Sequence, residues 1–140
     1  RMLNFFAVGE RLALVDLPGY GYAKMSQTEA AGIAELMRGY LVGREDLTAL
    51  VMLVDARRGP GPEELGLAAL LKDRGVELVA AATKCDKLRS AERGAAARRF
   101  EKLEVAPLMC SAFDGEGIDE LRRRILRYAR ITPAVTCPST

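Results

Sequence analysis

The feature that most constrains the fold is a pair of largely apolar runs, at residues 50–54 (LVMLV) and 76–82 (VELVAAA). Runs of this kind are typical of strands that are covered on both faces in a parallel sheet. A helical pattern follows each run. Pro62 suits the first turn of one helix, which stops at Gly75, and Ser90 caps another that extends to about residue 103. Buried strands that alternate with helices predict an α/β layered fold.

The flanking segments complete the order β-β-α-β-α-β-α-β-α. Residues 2–8 and 12–15 predict an opening hairpin, and residues 106–109 predict a short last strand. We therefore expect a mostly parallel sheet with one antiparallel edge strand, right-handed crossovers and helices on both faces. The first and last helices are predicted from apolar residues at helical spacing, namely Ile33, Leu36, Met37, Tyr40 and Leu41 in the first, and Ile118, Leu121, Ile125 and Leu126 in the last.

Composition limits both the size and the chemistry of the molecule. The 140 residues suit one domain, which we place at residues 1–131, followed by a loose tail at residues 132–140. Histidine is absent, which removes the usual proton shuttle and the commonest zinc ligand. The three cysteines have no metal-ligand spacing and indicate reduced thiols in a cytoplasmic protein. The net charge of +2 implies no polyanionic partner by itself, and no apolar run is long enough to predict a membrane span.

The first polar motif is Asp16-Leu17-Pro18-Gly19, directly after the second strand of the hairpin. In an open α/β sheet, ligands bind outside the carboxyl ends of the strands. A carboxylate in that place can hold magnesium through water, and a glycine three residues later lets a backbone amide approach a phosphate oxygen. Taken alone, the motif fits a strand end followed by a turn equally well.

The second motif is Thr83-Lys84-Cys85-Asp86, after the run at residues 76–82. A carboxylate accepts two parallel hydrogen bonds from a paired donor edge, which guanine offers and adenine does not. The aliphatic stem of the lysine can cover the base plane. Cys85 has no neighbouring base and is better explained as a small apolar filler than as a nucleophile. Alone, the motif is better explained as a charged loop.

The third motif is Cys110-Ser111-Ala112, after the last strand, where small residues allow backbone amides to reach the guanine carbonyl oxygen. Alone this signal is weak. Together, the three motifs match the third, fourth and fifth signature motifs of the GTPase superfamily in order, interval and strand context. We therefore predict a guanine-nucleotide-binding (G) domain of the P-loop NTPase class.

Residues 3–24 closely resemble the EngB-type (YihA/YsxC) GTP-binding proteins of bacteria, within the TrmE-Era-EngA-EngB-Septin-like GTPase superfamily. The phrase DLPGYGYA at residues 16–23 is much more specific than a bare DxxG. Residues 54–60 (VDARRGP), 83–88 (TKCDKL) and 115–121 (GEGIDEL) also look like that family. The resemblance runs from residue 3 to about residue 131.

The resemblance implies a protein that binds GTP and GDP with Mg²⁺ and hydrolyses GTP slowly. It also implies a role in assembly of the large ribosomal subunit, with ribosomal RNA as a partner, and a link to cell division or septation. Asp16 would sense Mg²⁺ and the γ-phosphate through water, and Gly19 would hold the γ-phosphate by its amide. The guanine would be held by Lys84 and Asp86, with its carbonyl oxygen contacted by Ser111 and Ala112.

The sequence departs from the family at its front end. A complete member begins with a strand, a Walker A loop (G-x-x-x-x-G-K-[ST]) and a helix, and no such sequence occurs in this chain, which opens at Arg1. That strand is normally central, so we expect exposed strand edges and apolar surface, and impaired GTP hydrolysis. Three explanations stay open: the segment exists outside this sequence, the chain is truncated, or a neighbouring chain fills the gap in a swapped dimer. Tyr20 replaces the water-orienting glutamine of Ras-like GTPases, which again predicts slow intrinsic hydrolysis.

Two groups of basic residues lie in the last two predicted helices. They fit contact with ribosomal RNA phosphates, and they fit a solvated helix face with pairs four residues apart somewhat better. Tyr20 and Tyr22 fit either a partner surface or packing within their loop. The alternative to a GTPase is therefore a non-catalytic remnant that binds RNA or protein. The basic groups are Arg93, Arg98, Arg99 and Lys102, and Arg122, Arg123, Arg124, Arg127 and Arg130.

Overall fold

The computed structural model describes residues 3–9, 12–19 and 26–128. The chain divides into two compact units, Arg1–Leu47 and Thr48–Thr140. The predictions for the chain start, for Tyr20 and Tyr22, for Arg130 and for the tail at residues 132–140 lie outside the described residues. The assignment of one domain to residues 1–131 stays a prediction.

The first unit contains the predicted hairpin and the predicted first helix. Strands β1 (Asn4–Val8) and β2 (Leu12–Asp16) pair antiparallel, with Asn4 opposite Asp16 and Val8 opposite Leu12. Helix α1 spans Gln27–Gly43. The antiparallel strand pair is confirmed, and the last residue of β2 is the first residue of the polar motif that follows it.

Helix α1 begins with a capping box at Ser26. The Ser26 hydroxyl accepts the Glu29 amide at 3.3 Å, and the Glu29 carboxylate accepts the Ser26 amide at 2.9 Å, which forms a capping box. Its buried residues, four apart, are Ile33, Met37 and Leu41. Leu36 was expected on that apolar face but is 40% exposed, because it lies beside this row rather than in it.

The second unit holds the parallel sheet. It contains β3 (Ala49–Asp55), α2 (Pro62–Asp73), β4 (Glu77–Thr83), α3 (Ser90–Arg98), β5 (Leu108–Met109) and α4 (Ile118–Tyr128). The strand order is β3-β4-β5, with both pairs parallel. Short 3₁₀ turns at Cys85–Lys87 and Glu101–Leu103 are the only additions to the predicted order among the described residues. The α/β fold class is confirmed.

The sheet differs from the prediction in two ways. The antiparallel pair and the three parallel strands form separate sheets within the described residues, where one sheet was expected. Strand β3 is covered on one face only, since Leu50, Met52 and Val54 are buried but Leu53 is 65% exposed.

Helix α3 is shorter than predicted. Ser90 is its first residue rather than its cap, and the Glu92 carboxylate accepts the Arg89 amide at 2.8 Å. The helix ends at Arg98, where the amides of Arg99 and Phe100 bond to carbonyls three residues back. This tighter turn places the Phe100 ring in the core, where it is fully buried. The helix therefore ends at Arg98, before the predicted end near residue 103.

Candidate nucleotide-binding site

The two predicted base-reading motifs meet at the carboxyl edge of the parallel sheet. Strand β4 ends at Thr83 and β5 ends at Met109, so the residues that follow each strand emerge side by side. The Cys85 amide donates to the Cys110 carbonyl at 3.1 Å, and the Cys110 amide donates to the Ala82 carbonyl at 2.9 Å. Backbone hydrogen bonds therefore join the two motifs directly.

The centre of this site is a contact between Asp86 and Ser111. The Ser111 hydroxyl donates to Asp86 Oδ1 at 3.0 Å, and it accepts the amides of Phe113 at 3.2 Å and Asp114 at 3.3 Å. Ser111 is fully buried, whereas the Asp86 side chain keeps 11% exposure. Each carboxylate oxygen has two acceptor positions, so Asp86 can still accept hydrogen bonds from a ligand.

The surroundings of Asp86 keep it ionised. Burial acts to raise the pKa of this carboxyl, but the Ser111 hydrogen bond and the Lys87 ammonium outweigh burial and lower it. Lys87 Nζ lies 3.2 Å from Asp86 Oδ2. An ionised carboxylate is an acceptor only, which is the state required to read a donor edge.

Lys84 turns the chain from β4 into the site. It has φ 58° and ψ 34°, a left-handed conformation that is uncommon outside glycine. Its ammonium lies 3.4 Å from Asp55 Oδ2 at the end of β3. Arg57 donates two hydrogen bonds to the same carboxylate, from Nε at 3.0 Å and from Nη2 at 2.6 Å. These hydrogen bonds hold the pKa of Asp55 far below its ordinary value. Asp55 was not among the predicted site residues, although its position at the end of an apolar run was a signal.

Ser111 and Ala112 are the two small residues predicted to approach the guanine carbonyl oxygen, and their backbone amides differ in their hydrogen-bond partners. The Ser111 amide donates to the Glu116 carbonyl at 2.9 Å. In the part of the chain that the structure describes, no oxygen accepts the Ala112 amide. The Ala112 amide is therefore the donor left for a ligand, and the Ser111 side chain serves Asp86.

Cys85 lies beneath this site with its thiol fully buried. Burial, followed by the neighbouring Glu116 carboxylate, raises the pKa of the thiol to about 11. A thiol with that pKa stays protonated at neutral pH and is a poor nucleophile. This agrees with the interpretation of Cys85 as a filler.

The phosphate motif belongs to the first unit and is described on its own. Asp16 closes β2 and is exposed, Leu17 and Pro18 are half-buried, and Gly19 is exposed. Across residues 3–9, 12–19 and 26–128, no group of three or more His, Cys, Asp or Glu residues could hold a metal ion. The role of this motif stays a prediction.

Three arginines of α4 are paired along the helix. Arg122 lies 2.8 Å from Asp119, while Arg123 and Arg124 lie 2.8 Å and 3.3 Å from Glu120. These partners are three or four residues away, as in a solvated helix face. On α3, Arg93 binds Glu116 rather than facing outward alone. Glu116 was not among the predicted site residues.

Solved structures with the same fold are G domains of GTPases. A structure of a probable GTP-binding protein EngB has a TM-score of 0.74 and 18% identity, over 92% of this chain and 84% of that one. A structure of Era in complex with MgGDPNP and nucleotides 1506–1542 of 16S ribosomal RNA has a TM-score of 0.61 and 18% identity, over 99% of this chain and 47% of that one. At these identities the likeness defines the fold, which is that of a P-loop GTPase.

Curated relatives define the family. The chain is 38% identical over 135 residues to the probable GTP-binding protein EngB of Shouchella clausii, covering 93% of this chain and 68% of that protein. It is 40% identical over 151 residues to the protein of the same name from Anaeromyxobacter sp., covering 97% and 66%. The chain therefore belongs to the EngB family. It spans about two thirds of the length of these relatives, and no family model matches it.

None of the described helices combines the length and the apolar character that a bilayer span requires.

Proposed function

We propose that the protein binds guanine nucleotides, GDP and GTP, at the carboxyl edge of β4 and β5. The observation that carries this proposal is the Asp86 carboxylate, fixed by Ser111 at 3.0 Å and held ionised at the rim of the sheet. The EngB relatives are named as probable GTP-binding proteins, which supports the same ligand class.

The chemistry of the base contact follows from the donors and acceptors present. Asp86 accepts the ring N–H and the exocyclic amino group of guanine through its two oxygens. The Ala112 amide donates to the guanine carbonyl oxygen, and the Lys84 stem covers the base plane. Thr83, Cys85, Cys110 and Ser111 position these groups. Adenine presents an acceptor where guanine presents its N–H, so Asp86 would reject it.

We propose, as the family resemblance implies, that the motif Asp16, Leu17, Pro18 and Gly19 of the first unit binds nucleotide phosphate. Magnesium in nucleotide sites is bound mainly by phosphate oxygens and water, with one or two carboxylates. The exposed Asp16 at the end of β2 fits contact through a water molecule, and a Cβ atom at Gly19 would meet no heavy atom within 4 Å beyond its chain neighbours. The metal would neutralise phosphate charge during hydrolysis. With Tyr20 after Gly19, we propose that GTP hydrolysis is slow.

At the cellular level we propose a cytoplasmic factor for large ribosomal subunit assembly, linked to cell division and septation. The support for this role is the family resemblance and family membership. A same-fold structure, Era, was solved with 16S ribosomal RNA, which supports contact with ribosomal RNA in general. The ion pairs of Arg122, Arg123 and Arg124 would have to open for these side chains to bind RNA phosphates. No observation on the described residues supports a swapped dimer.

The test is a titration with a fluorescent GDP analogue, comparing the wild type with Asp86→Asn. Loss of two charge-assisted hydrogen bonds should weaken GDP binding by roughly 100-fold or more. Because an amide also presents a donor, the variant should gain affinity for xanthosine diphosphate. Asp119→Asn is the matched control, since this carboxylate is 85% exposed on α4.

Two results would contradict the proposal. Unchanged GDP affinity in Asp86→Asn would show that the base binds elsewhere. Absence of GDP binding by the folded wild type would remove nucleotide binding altogether and leave the RNA- or protein-binding alternative.

A further inference from the structure

Glu116 lies in the turn between β5 and α4, outside all three signature motifs. Its carboxylate receives both arms of the Arg93 guanidinium, with Nη1 2.6 Å from Oε1 and Nη2 2.6 Å from Oε2. This is a two-pronged, charge-assisted contact, the strongest geometry available to a carboxylate and an arginine. It ties α3 to the turn before α4.

The same residue contacts both base-reading loops. Glu116 Oε2 accepts the Cys85 thiol at 3.4 Å, in the loop that carries Lys84 and Asp86. The Glu116 carbonyl accepts the Ser111 amide at 2.9 Å, in the loop that carries Ala112. Glu116 therefore contacts the first loop through its side chain and the second loop through its backbone carbonyl.

The charge state of Glu116 suits this role. Hydrogen bonds from Arg93 and then Cys85 lower the pKa of the Glu116 carboxyl to about 2, so it is ionised at neutral pH. The Arg93 and Glu116 side chains are 37% and 39% exposed, at the rim of the site rather than in its core. Substitution there removes the contact without opening the core.

We propose that Arg93 and Glu116 form a brace that sets the position of the two base-reading loops and thereby tunes guanine affinity and selectivity. Neither residue contacts the base; both act through Cys85 and Ser111 as positioning residues. This inference rests on the proposed guanine site for its effect on binding, while the brace itself is independent of any ligand.

The binding experiment compares Glu116→Gln with Glu92→Gln. Glu92 is a matched control, because it also pairs with an arginine, Arg89 at 2.9 Å, and its side chain is 43% exposed. Glu116→Gln should weaken GDP binding roughly tenfold, and Glu92→Gln less than twofold. Loosening Asp86 should also reduce the preference for GDP over inosine diphosphate, which lacks the amino group.

A double-mutant cycle separates the brace from a general loss of stability. Arg93→Met, Glu116→Gln and the double variant should show non-additive losses, because either change alone breaks the same contact. Arg93→Lys should restore only part of the affinity, since an ammonium cannot make the two-pronged contact. Circular dichroism should show every variant folded under the binding conditions, so that a loss of affinity reports on the loops and not on unfolding.

A measurement without nucleotide keeps the two proposals distinguishable. Peptide-resolved thiol labelling should modify Cys85 faster in Glu116→Gln than in the wild type, and hydrogen exchange should rise across residues 83–88 and 110–117. If the wild type binds no GDP but these changes occur, the brace stands and the guanine site falls. If the wild type binds GDP while affinity, selectivity and labelling match the Glu92→Gln control, the brace is refuted.

Discussion

Gly117, the residue before α4, is a position where one added methyl group should be poorly tolerated. Its φ is +73°, and a Cβ atom would lie 2.0 Å from the Met109 carbonyl oxygen and 3.1 Å from Cys110 Sγ. The left-handed backbone costs a non-glycine residue about 1–2 kcal/mol. Forced packing against strand β5 adds about 1–3 kcal/mol. Gly117→Ala should therefore reduce the free energy of unfolding by about 2–5 kcal/mol.

Gly115→Ala separates the two contributions. Gly115 has φ +86°, but a Cβ atom there would meet no heavy atom within 4 Å beyond its own chain neighbours. Its substitution should therefore cost only the backbone contribution of about 1–2 kcal/mol. Urea unfolding followed by circular dichroism gives both values, provided that the m-values agree. Equal unfolding midpoints for the two variants would refute the argument that close approach of Gly117 to Met109 fixes the turn.

Two further predictions concern the N-cap of α1 and the dependence of stability on pH. Ser26→Ala should destabilise the first unit by about 1 kcal/mol, measured by urea unfolding, with Ser90→Ala as control because Ser90 is not a cap. Stability should fall as the pH drops from 4.5 towards 2, because Glu116 keeps its charge down to about 2 when folded. The fall should be smaller in Glu116→Gln; identical acid titrations of the two proteins would contradict this.

Much of the fold could be predicted because its signals are local. The capping box of α1 needs only Ser26 and Glu29, three residues apart, and both hydrogen bonds form. The approach of Asp86 and Ser111 follows from topology, since parallel neighbouring strands end at the same edge of a sheet. Their motifs are separate in the sequence, and the structure joins them at 3.0 Å.

Other features depend on side-chain geometry that no local pattern carries. Arg93 and Glu116 are 23 residues apart, and their pairing needs α3 and the turn before α4 to be in place. Exposure of Leu53 could not be derived from its apolar run, because that run is equally typical of a strand with two covered faces. The hydrogen bond from the Ser111 amide to the Glu116 carbonyl likewise depends on how the turn before α4 folds back.

The buried Ser111 hydroxyl has a consequence for the thermodynamics of recognition. Two backbone amides occupy its lone pairs, so its single hydrogen is directed at Asp86 before any nucleotide arrives. Immobilising a side chain on association typically costs about 0.5–1.5 kcal/mol. For Asp86 much of that ordering has been completed during folding, so the site is preorganised. Base binding should accordingly carry little entropy loss from this carboxylate. In Ser111→Ala the Asp86 side chain would become ordered only on binding, so the entropy loss on binding should increase.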